Sequence, residues 1–328
     1  WNFPAYNPAR ACAAALAAWC TIVCKGSEYT PLSSMNLFSA LKDAGIPDGV
    51  ANLVNGDASK IGEAMLNHPK LKKISFTGST RVGKILMDGA SRTGTKLALE
   101  LGGNAPVIIM DDVNVDEVSK TAASGRFRNA GQVCNIPQRF YVHERIYDRF
   151  LSSLSKYVSQ MKVGSGLEPD TRMGPLINKR QQENVLSMIA EARSEGAEIT
   201  TGGGSGSERG FFVQPTVVAD RKGSAKFYDK EIFGPVLPVI PFSSKEEVIE
   251  KANSTSYGLA AYVWTNDLKT AIWLYERLEF GMIGVNDWAP QGTEAPFGGW
   301  KQSGLGHEAG MEGMLEYMEK KLITIGNL

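Results

Sequence analysis

Short strand-like segments alternate with helix-like segments along the chain, and this alternation constrains the fold more than any other feature of the sequence. The first set of predicted elements comprises helices 9–18, 31–44, 59–66 and 80–91 and strands 21–24, 50–54, 73–76 and 96–101. The second set comprises strands 107–109, 140–142, 236–240, 260–264 and 282–285 and helices 115–129, 144–160, 179–195, 245–253 and 268–278. Residues 317–325 are predicted as a terminal strand. Such alternation indicates an α/β fold, with a parallel sheet covered by helices on both faces.

Composition excludes several classes of protein. The 328 residues suit two or three domains. The 35 basic residues balance the 35 acidic ones, so no global field attracts nucleic acid or a membrane surface. The longest apolar run, residues 11–24, is shorter than a membrane span. We therefore predict neither a nucleic-acid partner nor a membrane.

The cysteines and histidines argue against a disulfide framework and against a metal site. Four cysteines in so long a chain indicate reduced thiols and a cytoplasmic location. The three histidines are far apart, and no Cys/His cluster has zinc spacing. The glycine-rich stretch 201–210 is interpreted as a flexible surface loop.

Two residues could carry chemistry in this pattern. Cys134 follows Asn-Ala-Gly-Gln-Val at 129–133, and these small residues favour a tight turn that exposes the sulfur. Glu100 ends a predicted strand, where parallel sheets place their active sites, and its leucine neighbours would raise its pKa. A lone cysteine is more often a buried apolar residue, and a strand-end glutamate is more often on the surface, so both alternatives stay open here.

The segment Phe-Thr-Gly-Ser-Thr at 76–80 is predicted to be a turn from a strand into a helix. Ser79 can cap that helix, and helix N-termini favour anions. The segment lacks the Gly-x-Gly-x-x-Gly spacing of a dinucleotide site, so an ordinary capped turn explains it equally well.

Seven such segments together resemble the aldehyde dehydrogenase superfamily, and succinate-semialdehyde dehydrogenases most of all. They are Trp-Asn-Phe-Pro at 1–4, the 25–28 segment, Phe-Thr-Gly-Ser at 76–79, Leu-Glu-Leu-Gly-Gly at 99–103, Gly-Gln-Val-Cys at 131–134, Glu-Ile-Phe-Gly-Pro at 231–235 and Pro-Phe-Gly-Gly at 296–299. The resemblance implies a partial Rossmann-type cofactor domain at 1–102, an α/β catalytic domain at 103–303 and a C-terminal return and oligomerisation arm at 304–328. Family chains carry a long portion before Trp-Asn-Phe-Pro, so we expect this chain to be N-terminally truncated and its parent to form a homo-oligomer.

The resemblance also implies a catalytic set. Cys134 matches the nucleophile, which forms a thiohemiacetal and then a thioester, and which needs a lowered pKa. Asn2 matches the oxyanion-hole side chain, and Glu100 matches the base that activates water.

For the cofactor, the resemblance implies NAD, with NADP as the alternative. Lys25 and Glu28 match residues that bind the adenosine ribose, and a carboxylate there would repel a 2′-phosphate. Ser79 matches a diphosphate contact, and Glu231 and Phe233 match contacts to the nicotinamide ribose and ring.

Arg10 and Arg128 resemble the arginines that hold the substrate carboxylate in succinate-semialdehyde dehydrogenases. The expected reaction is thus oxidation of a small carboxylated semialdehyde such as succinate semialdehyde. Surface or interdomain arginines are the alternative, and Trp288 and Trp300 would suit a longer or aromatic aldehyde instead. Two alternative hypotheses for the function of the chain stay open. It could be a cofactor-independent thiol esterase, or it could be a catalytically silent fragment.

Overall fold

The computed structural model describes residues 1–206 and 209–327 and shows the predicted alternation of helices and strands. The helices are α1 Tyr6–Ala17, α2 Pro31–Asp43, α3 Ala58–Leu66, α4 Thr80–Ser91, α5 Val115–Phe127, α6 Tyr147–Ser159, α7 Lys179–Ser194, α8 Lys245–Asn253, α9 Leu268–Tyr275 and α10 Gly310–Leu315. The strands are β1 Ile22–Lys25, β2 Ala51–Val54, β3 Lys73–Thr77, β4 Lys96–Glu100, β5 Ala105–Ile109, β6 Pro137–His143, β7 Glu198–Thr201, β8 Thr216–Ala219, β9 Val236–Phe242, β10 Tyr257–Gly258, β11 Ala260–Trp264, β12 Met282–Val285, β13 Trp300–Lys301 and β14 Gly304–Leu305. Most bounds lie within a few residues of those predicted.

A seven-stranded sheet in the order β12-β11-β5-β6-β9-β8-β7 organises the second half of the chain. Its strands are parallel except for β7, which runs antiparallel to β8. Every residue of β5, β6 and β8 is buried, as expected for strands covered on both faces by helices. The α/β prediction is confirmed.

The first hundred residues form smaller sheets instead of one. Strands β1 and β2 pair in parallel, and β3 pairs in parallel with β4. Strand β14 returns from the C-terminal part of the chain and pairs antiparallel with β4, which sets Gly304 opposite Glu100. The end of β4 is thereby held between two neighbouring strands.

Two sequence predictions differ from the structure. Residues 317–325 form no strand, because no neighbouring strand of the described chain offers them backbone partners, and Leu322, Ile323 and Ile325 are exposed. The structure also has elements that were not predicted, namely β7, β8, β10, β13, β14 and α10, and the two-residue strands among them are too short to show a pattern. The predicted loop 201–210 begins at the last residue of β7 and precedes β8, and its residues 207 and 208 lie outside the described residues.

Candidate active site

The loop that carries Cys134 is a left-handed turn at the end of α5. Asn129, Ala130 and Gly131 have φ values of 51°, 54° and 74°. Non-glycine residues adopt this conformation at a cost of ~1–2 kcal/mol each, so the turn must be held from outside. The buried guanidinium of Arg126 holds the neighbouring backbone by donating to the carbonyls of Gly234 and Val236. The predicted tight turn is present, and it leaves Cys134 half-buried.

Asn2 lies directly against this loop, although 130 residues separate it from Gln132. Its side-chain amide donates to the carbonyl oxygen of Gln132 over 3.1 Å. In return, the side-chain amide of Asn129 donates to the carbonyl oxygen of Asn2 over 3.2 Å. An amide nitrogen carries two N–H groups, and the bond to Gln132 uses one of them. Asn2 is therefore placed beside the turn that presents the thiol.

Glu100 and Cys134 meet because the chain after β4 passes very close to the cysteine backbone. A Cβ atom at Gly103 would lie 2.1 Å from the carbonyl oxygen of Cys134, so only glycine fits there. Glu100 is buried at the end of β4, its Oε1 atom has no hydrogen-bond partner, and the Cys134 thiol is near enough to act on the pKa of its carboxyl. A nucleophile and a base thus share one water-poor position.

Burial dominates the protonation of this pair. Desolvation raises the pKa of Glu100 to about 8, although interaction with the Cys134 thiol opposes the rise. Desolvation first, and the nearby Glu100 carboxylate second, raise the pKa of Cys134 well above its usual value. The expected lowering of the cysteine pKa is therefore wrong for this structure, because burial, and then the charges of Glu100 and Glu231, disfavour the thiolate more than Arg10 favours it.

The two arginines predicted to bind substrate have different surroundings. Arg10 forms a buried ion pair with Glu308, and its guanidinium lies 4.1 Å from the ring centre of Phe297. Arg128 is exposed, and its guanidinium lies over the ring of Phe3 at 5.4 Å. Both arginines lie near enough to the site for their charges to act on it: Arg10 on Glu100 and Cys134, and Arg128 on Tyr262.

A cavity of about 160 Å³ opens beside Asn135, the residue after Cys134, and Cys134 itself is not among its lining residues. Arg128 is one of its lining residues, and the others are Gly125, Asn135, Ile136, Pro137, Tyr262, Trp288 and Ala289. Trp288 thus reaches the cavity wall as the sequence suggested, whereas Trp300 lies in β13 and is half exposed. The cavity combines one cation with an aromatic wall.

Hydrogen bonds fix the part of this wall that follows the cysteine. The amide of Asn135 donates to Oε1 of Gln291 over 2.9 Å, and the Tyr262 hydroxyl donates to the carbonyl oxygen of Asn135 over 2.5 Å. These contacts join the residue after Cys134 to the loop that contains Trp288. Sequence reasoning missed Asn135, Gln291, Tyr262 and Glu308, because no spacing pattern connects residues that lie in four separate parts of the chain.

The predicted ribose-binding residues Lys25 and Glu28 form an ion pair. The Lys25 ammonium lies 2.6 Å from a carboxylate oxygen of Glu28, and this contact lowers the pKa of that carboxyl. Glu28 is 59% exposed, so its carboxylate is accessible to a ligand while charged. Gly26 between them is buried against Ser34, and a Cβ atom there would lie 2.7 Å from the serine hydroxyl oxygen.

Ser79 caps helix α4 by accepting a hydrogen bond from the backbone N–H of Val82. The twelve-residue helix and its exposed N-terminal serine provide backbone N–H groups of the kind that hold phosphate oxygens.

Glu231 and Phe233 lie at the other end of this region. Glu231 accepts a hydrogen bond from the backbone N–H of Gly103 over 3.0 Å, and burial raises the pKa of its carboxyl to about 7. A Cβ atom at Gly102 would lie 2.9 Å from the second carboxylate oxygen of Glu231. Because glycine has no Cβ atom, there is open space in front of this carboxylate. Phe233 has a φ of 48° and packs edge-on against Trp1. These groups together fit a dinucleotide. The Glu28 carboxylate suits ribose hydroxyls, the N–H groups at the start of α4 suit phosphates, and the Glu231 carboxylate is a second one, beside the thiol.

Metal and membrane features are absent from the described part of the chain. No group of three or more His, Cys, Asp or Glu side chains within residues 1–206 and 209–327 is arranged to hold a metal ion. No helix within those ranges is both long enough and apolar enough to cross a bilayer.

Comparison with known proteins places these features in a family. Residues 1–323 match the model of the aldehyde dehydrogenase family. The mitochondrial succinate-semialdehyde dehydrogenase of Oryza sativa subsp. japonica is 45% identical over all 328 residues, which cover 62% of that protein. The Escherichia coli (strain K12) succinate-semialdehyde dehydrogenase named for NADP(+) is 41% identical over 99% of this chain and 68% of its own length. The chain therefore spans less than two thirds of the first of these relatives.

Solved structures agree with this match. The NAD+ complex of an aldehyde dehydrogenase from Bacillus cereus superposes with a TM-score of 0.94 at 43% identity, covering 97% of this chain and 65% of the other. Lactaldehyde dehydrogenase from Escherichia coli superposes with a TM-score of 0.95 at 36% identity, covering 98% of this chain and 68% of the other. Similarity thus extends over nearly the whole of the described chain.

Proposed function

The chain belongs to the aldehyde dehydrogenase family, and from that membership we propose that the whole protein oxidises an aldehyde to the carboxylic acid with NAD or NADP as hydride acceptor. The observation that carries the proposal is the buried Glu100 carboxyl acting on the half-buried Cys134 thiol, one residue before Asn135 in the cavity wall. The proposed division into a cofactor part at 1–102, a catalytic part at 103–303 and a C-terminal arm at 304–328 is retained.

The proposed reaction begins with attack of the Cys134 thiolate, whose proton has passed to solvent, on the aldehyde carbon. The negative oxygen of the resulting thiohemiacetal would lie between the amide of Asn2 and the backbone N–H of Cys134, which are donors of the oxyanion-hole kind. When bound, the nicotinamide ring supplies the acceptor for the departing hydride. Glu100 then takes a proton from the water that hydrolyses the Cys134 thioester, which frees the thiol.

We propose NAD as the preferred cofactor, held by Lys25, Glu28, Ser79, Glu231 and Phe233. The exposed, charged Glu28 carboxylate supports this preference, because it accepts from ribose hydroxyls and repels a 2′-phosphate. Among the similar proteins, one structure is a NAD+ complex and one relative is named for NADP(+).

Replacing Glu28 with Gln is expected to shift cofactor preference toward NADP. Removal of one like charge from beside the 2′-phosphate should improve the ratio of NADP to NAD affinity by about tenfold, or ~1.4 kcal/mol. Calorimetric titration of both cofactors into the whole protein measures this ratio. Glu63→Gln, which changes an exposed carboxylate in α3 that is not among the proposed ribose-binding residues, is the matched control. An unchanged ratio in the Glu28 variant would remove Glu28 from the ribose site.

We propose a carboxylated semialdehyde, such as succinate semialdehyde, as the substrate, with Arg128 and Arg10 as the cationic residues. Arg128 supports this by lining the cavity with its charge exposed. Arg10 is already neutralised by Glu308, so its contribution to substrate binding should be weaker than that of Arg128. The names of several similar proteins agree with this class of substrate.

Leucine at position 128 is expected to raise the KM for succinate semialdehyde at least tenfold more than the KM for butanal. The reason is that butanal has the same carbon length and lacks the carboxylate that an arginine fork binds.

Leucine at position 10 should instead lower protein stability by about 3–5 kcal/mol, because it leaves the buried Glu308 without its partner. Steady-state kinetics with both aldehydes and thermal melts distinguish the two roles. Greater discrimination by the position-10 variant would reverse this assignment.

We propose a homo-oligomeric assembly in the cytoplasm for the whole protein. The exposed apolar side chains of Leu322, Ile323 and Ile325 support an intermolecular contact at the C-terminal arm. The four cysteines are free thiols, as in reducing compartments. Light scattering of the whole protein tests the assembly.

A further inference from the structure

The proposed reaction leaves one buried cation beside the site unused. Arg126, in the last turn of α5, is fully buried. Its guanidinium donates from Nε to the carbonyl oxygen of Val236 over 2.9 Å, and from Nη2 to the carbonyl oxygens of Gly234 and Val236 over 2.8 and 2.6 Å. Its Nη1 atom has no hydrogen-bond partner among the described residues. Burying a charged group costs free energy that an apolar side chain would not cost, so this arginine needs a reason beyond packing.

The carbonyl groups that Arg126 binds belong to the segment proposed to contact the nicotinamide riboside. Glu231 and Phe233 lie just before Gly234 in this ring segment (residues 231–236), and Phe233 has a left-handed backbone with a φ of 48°. A non-glycine residue adopts that conformation at a cost of ~1–2 kcal/mol. The ring segment, like the turn before Cys134, therefore keeps its shape through contacts from outside.

The ring segment meets the thiol turn (residues 129–134) at the guanidinium of Arg126. A Cβ atom at Gly131 would overlap the carbonyl oxygen of Gly234 and would lie 2.8 Å from Nη1 of Arg126. Two backbones and one guanidinium thus pack without space for a methyl group. Arg126 is five residues before Gly131 in the chain, whereas Gly234 is 108 residues beyond Arg126. One side chain therefore joins the turn that carries the thiol to a distant part of the chain.

We propose that Arg126 is a positioning residue, which fixes the ring segment against the thiol turn and so sets the geometry of hydride transfer. This inference rests on the proposed function. In that reaction a hydride leaves the carbon bonded to the Cys134 sulfur with both electrons of its C–H bond, and the thiohemiacetal becomes a thioester. The thiol turn carries the donor carbon and the ring segment holds the proposed contacts for the acceptor, so a slip between them changes the transfer distance. A misplacement of about 1 Å slows such a step by about 10²-fold.

Two substitutions of Arg126 and one matched control separate this role from ordinary packing. Arg126→Met removes every N–H donor and keeps an unbranched side chain. Arg126→Lys keeps the charge and an ammonium donor but lacks the planar fork that reaches two carbonyls, so its effects should be smaller. Arg139→Met is the control, because it removes a second buried guanidinium. The donors of Arg139 reach the carbonyl oxygens of Lys251 and Ala252 at the end of α8, and that of Asn104.

Hydrogen exchange of the whole protein, without cofactor or substrate, tests the junction itself. In Arg126→Met, peptides covering 129–134 and 231–236 should both exchange about tenfold faster, because the two segments lose the same restraint. Arg126→Lys should show a smaller change in the same peptides, and it carries the test if Arg126→Met does not fold. Arg139→Met should leave both peptides unchanged. Unchanged exchange of the ring segment in a folded Arg126 variant overturns the proposal.

Single-turnover kinetics test the catalytic consequence. Stopped-flow absorbance follows the first NADH formed per site, with an aldehyde that carries hydrogen or deuterium at its aldehyde carbon. In Arg126→Met this phase should slow by about 10–100-fold, and its deuterium isotope effect should exceed that of the unmodified protein, because hydride transfer becomes the slow step. The KM for aldehyde should change less than about threefold, since no cavity-lining residue is altered. Arg126→Lys should fall between the two proteins.

The outcomes distinguish this inference from the proposed function. A first phase that keeps the unmodified rate in Arg126→Met, or that slows equally in Arg139→Met, makes Arg126 a structural residue only and overturns the inference. If the unmodified whole protein forms no NADH from aldehydes, the proposed function fails instead. Paired faster exchange of the two segments would then still show that Arg126 joins them.

Discussion

Serine in place of Cys134 is expected to reduce the kcat/KM for aldehyde oxidation by the whole protein by at least ~10³-fold. The proposed chemistry needs a sulfur that forms a thiohemiacetal and then a thioester, and a serine hydroxyl is a far weaker nucleophile without a base dedicated to it. In the structure, the neighbouring base is Glu100, and its pKa of about 8 is far too low for it to deprotonate a serine hydroxyl. NADH formation followed by absorbance measures the loss.

The control for this experiment is Cys20→Ser, which also exchanges a half-buried sulfur for oxygen. Its contacts are to the backbone oxygens of Ala18 and Tyr317, so turnover should stay near that of the unmodified protein. NAD binding should survive in both variants, because Lys25, Glu28 and Ser79 are untouched. Undiminished turnover in the Cys134 variant would refute the nucleophile and leave only the family and the fold standing.

Much of the fold could be predicted from the sequence, because regular elements leave local patterns. Helix α4 begins and ends at the predicted residues, since Ser79 caps it and its apolar positions recur at helical spacing. The segment 317–325 failed for the opposite reason: β-branched residues favour a strand, yet a strand needs a neighbour, and sequence alone does not show one.

The features of the candidate site also divide into those that a local sequence pattern predicts and those that depend on distant parts of the chain. The small residues before Cys134 predict its turn, because a left-handed backbone is a local property. The ion pair of Arg10 with Glu308 joins residues almost 300 positions apart, and nothing local in either segment indicates it. The raised pKa of Cys134 depends on burial and on two carboxylates brought in by other elements, so a motif that identifies the thiol carries no information about its protonation.

Glutamine in place of Glu100 is expected to separate the two halves of the reaction. Glutamine keeps the size of the side chain but cannot take a proton from water, so thioester hydrolysis should slow by ~10²–10⁴-fold. Because the attack by sulfur does not use Glu100, mixing the variant with NAD and aldehyde should give a rapid burst of about one NADH per site, followed by a much slower steady rate. Stopped-flow absorbance resolves these two phases.

The pH dependence gives this prediction a second readout. A general base works in its deprotonated form, and Glu100 has a pKa of about 8, so a hydrolysis-limited rate should rise with pH through a midpoint near pH 8. The Glu100→Gln variant should lose the rise with that midpoint, because glutamine does not titrate. Glu279→Gln, which exchanges an exposed carboxylate paired with Lys301, should keep both the rate and the pH profile.

These measurements distinguish a base from a residue that merely fills space. If Glu100 only packed against Cys134, the isosteric glutamine would preserve the steady rate, and the rise with pH would remain in the variant. A burst with a lost pH rise, in contrast, requires that the carboxylate act on water after the sulfur has been acylated.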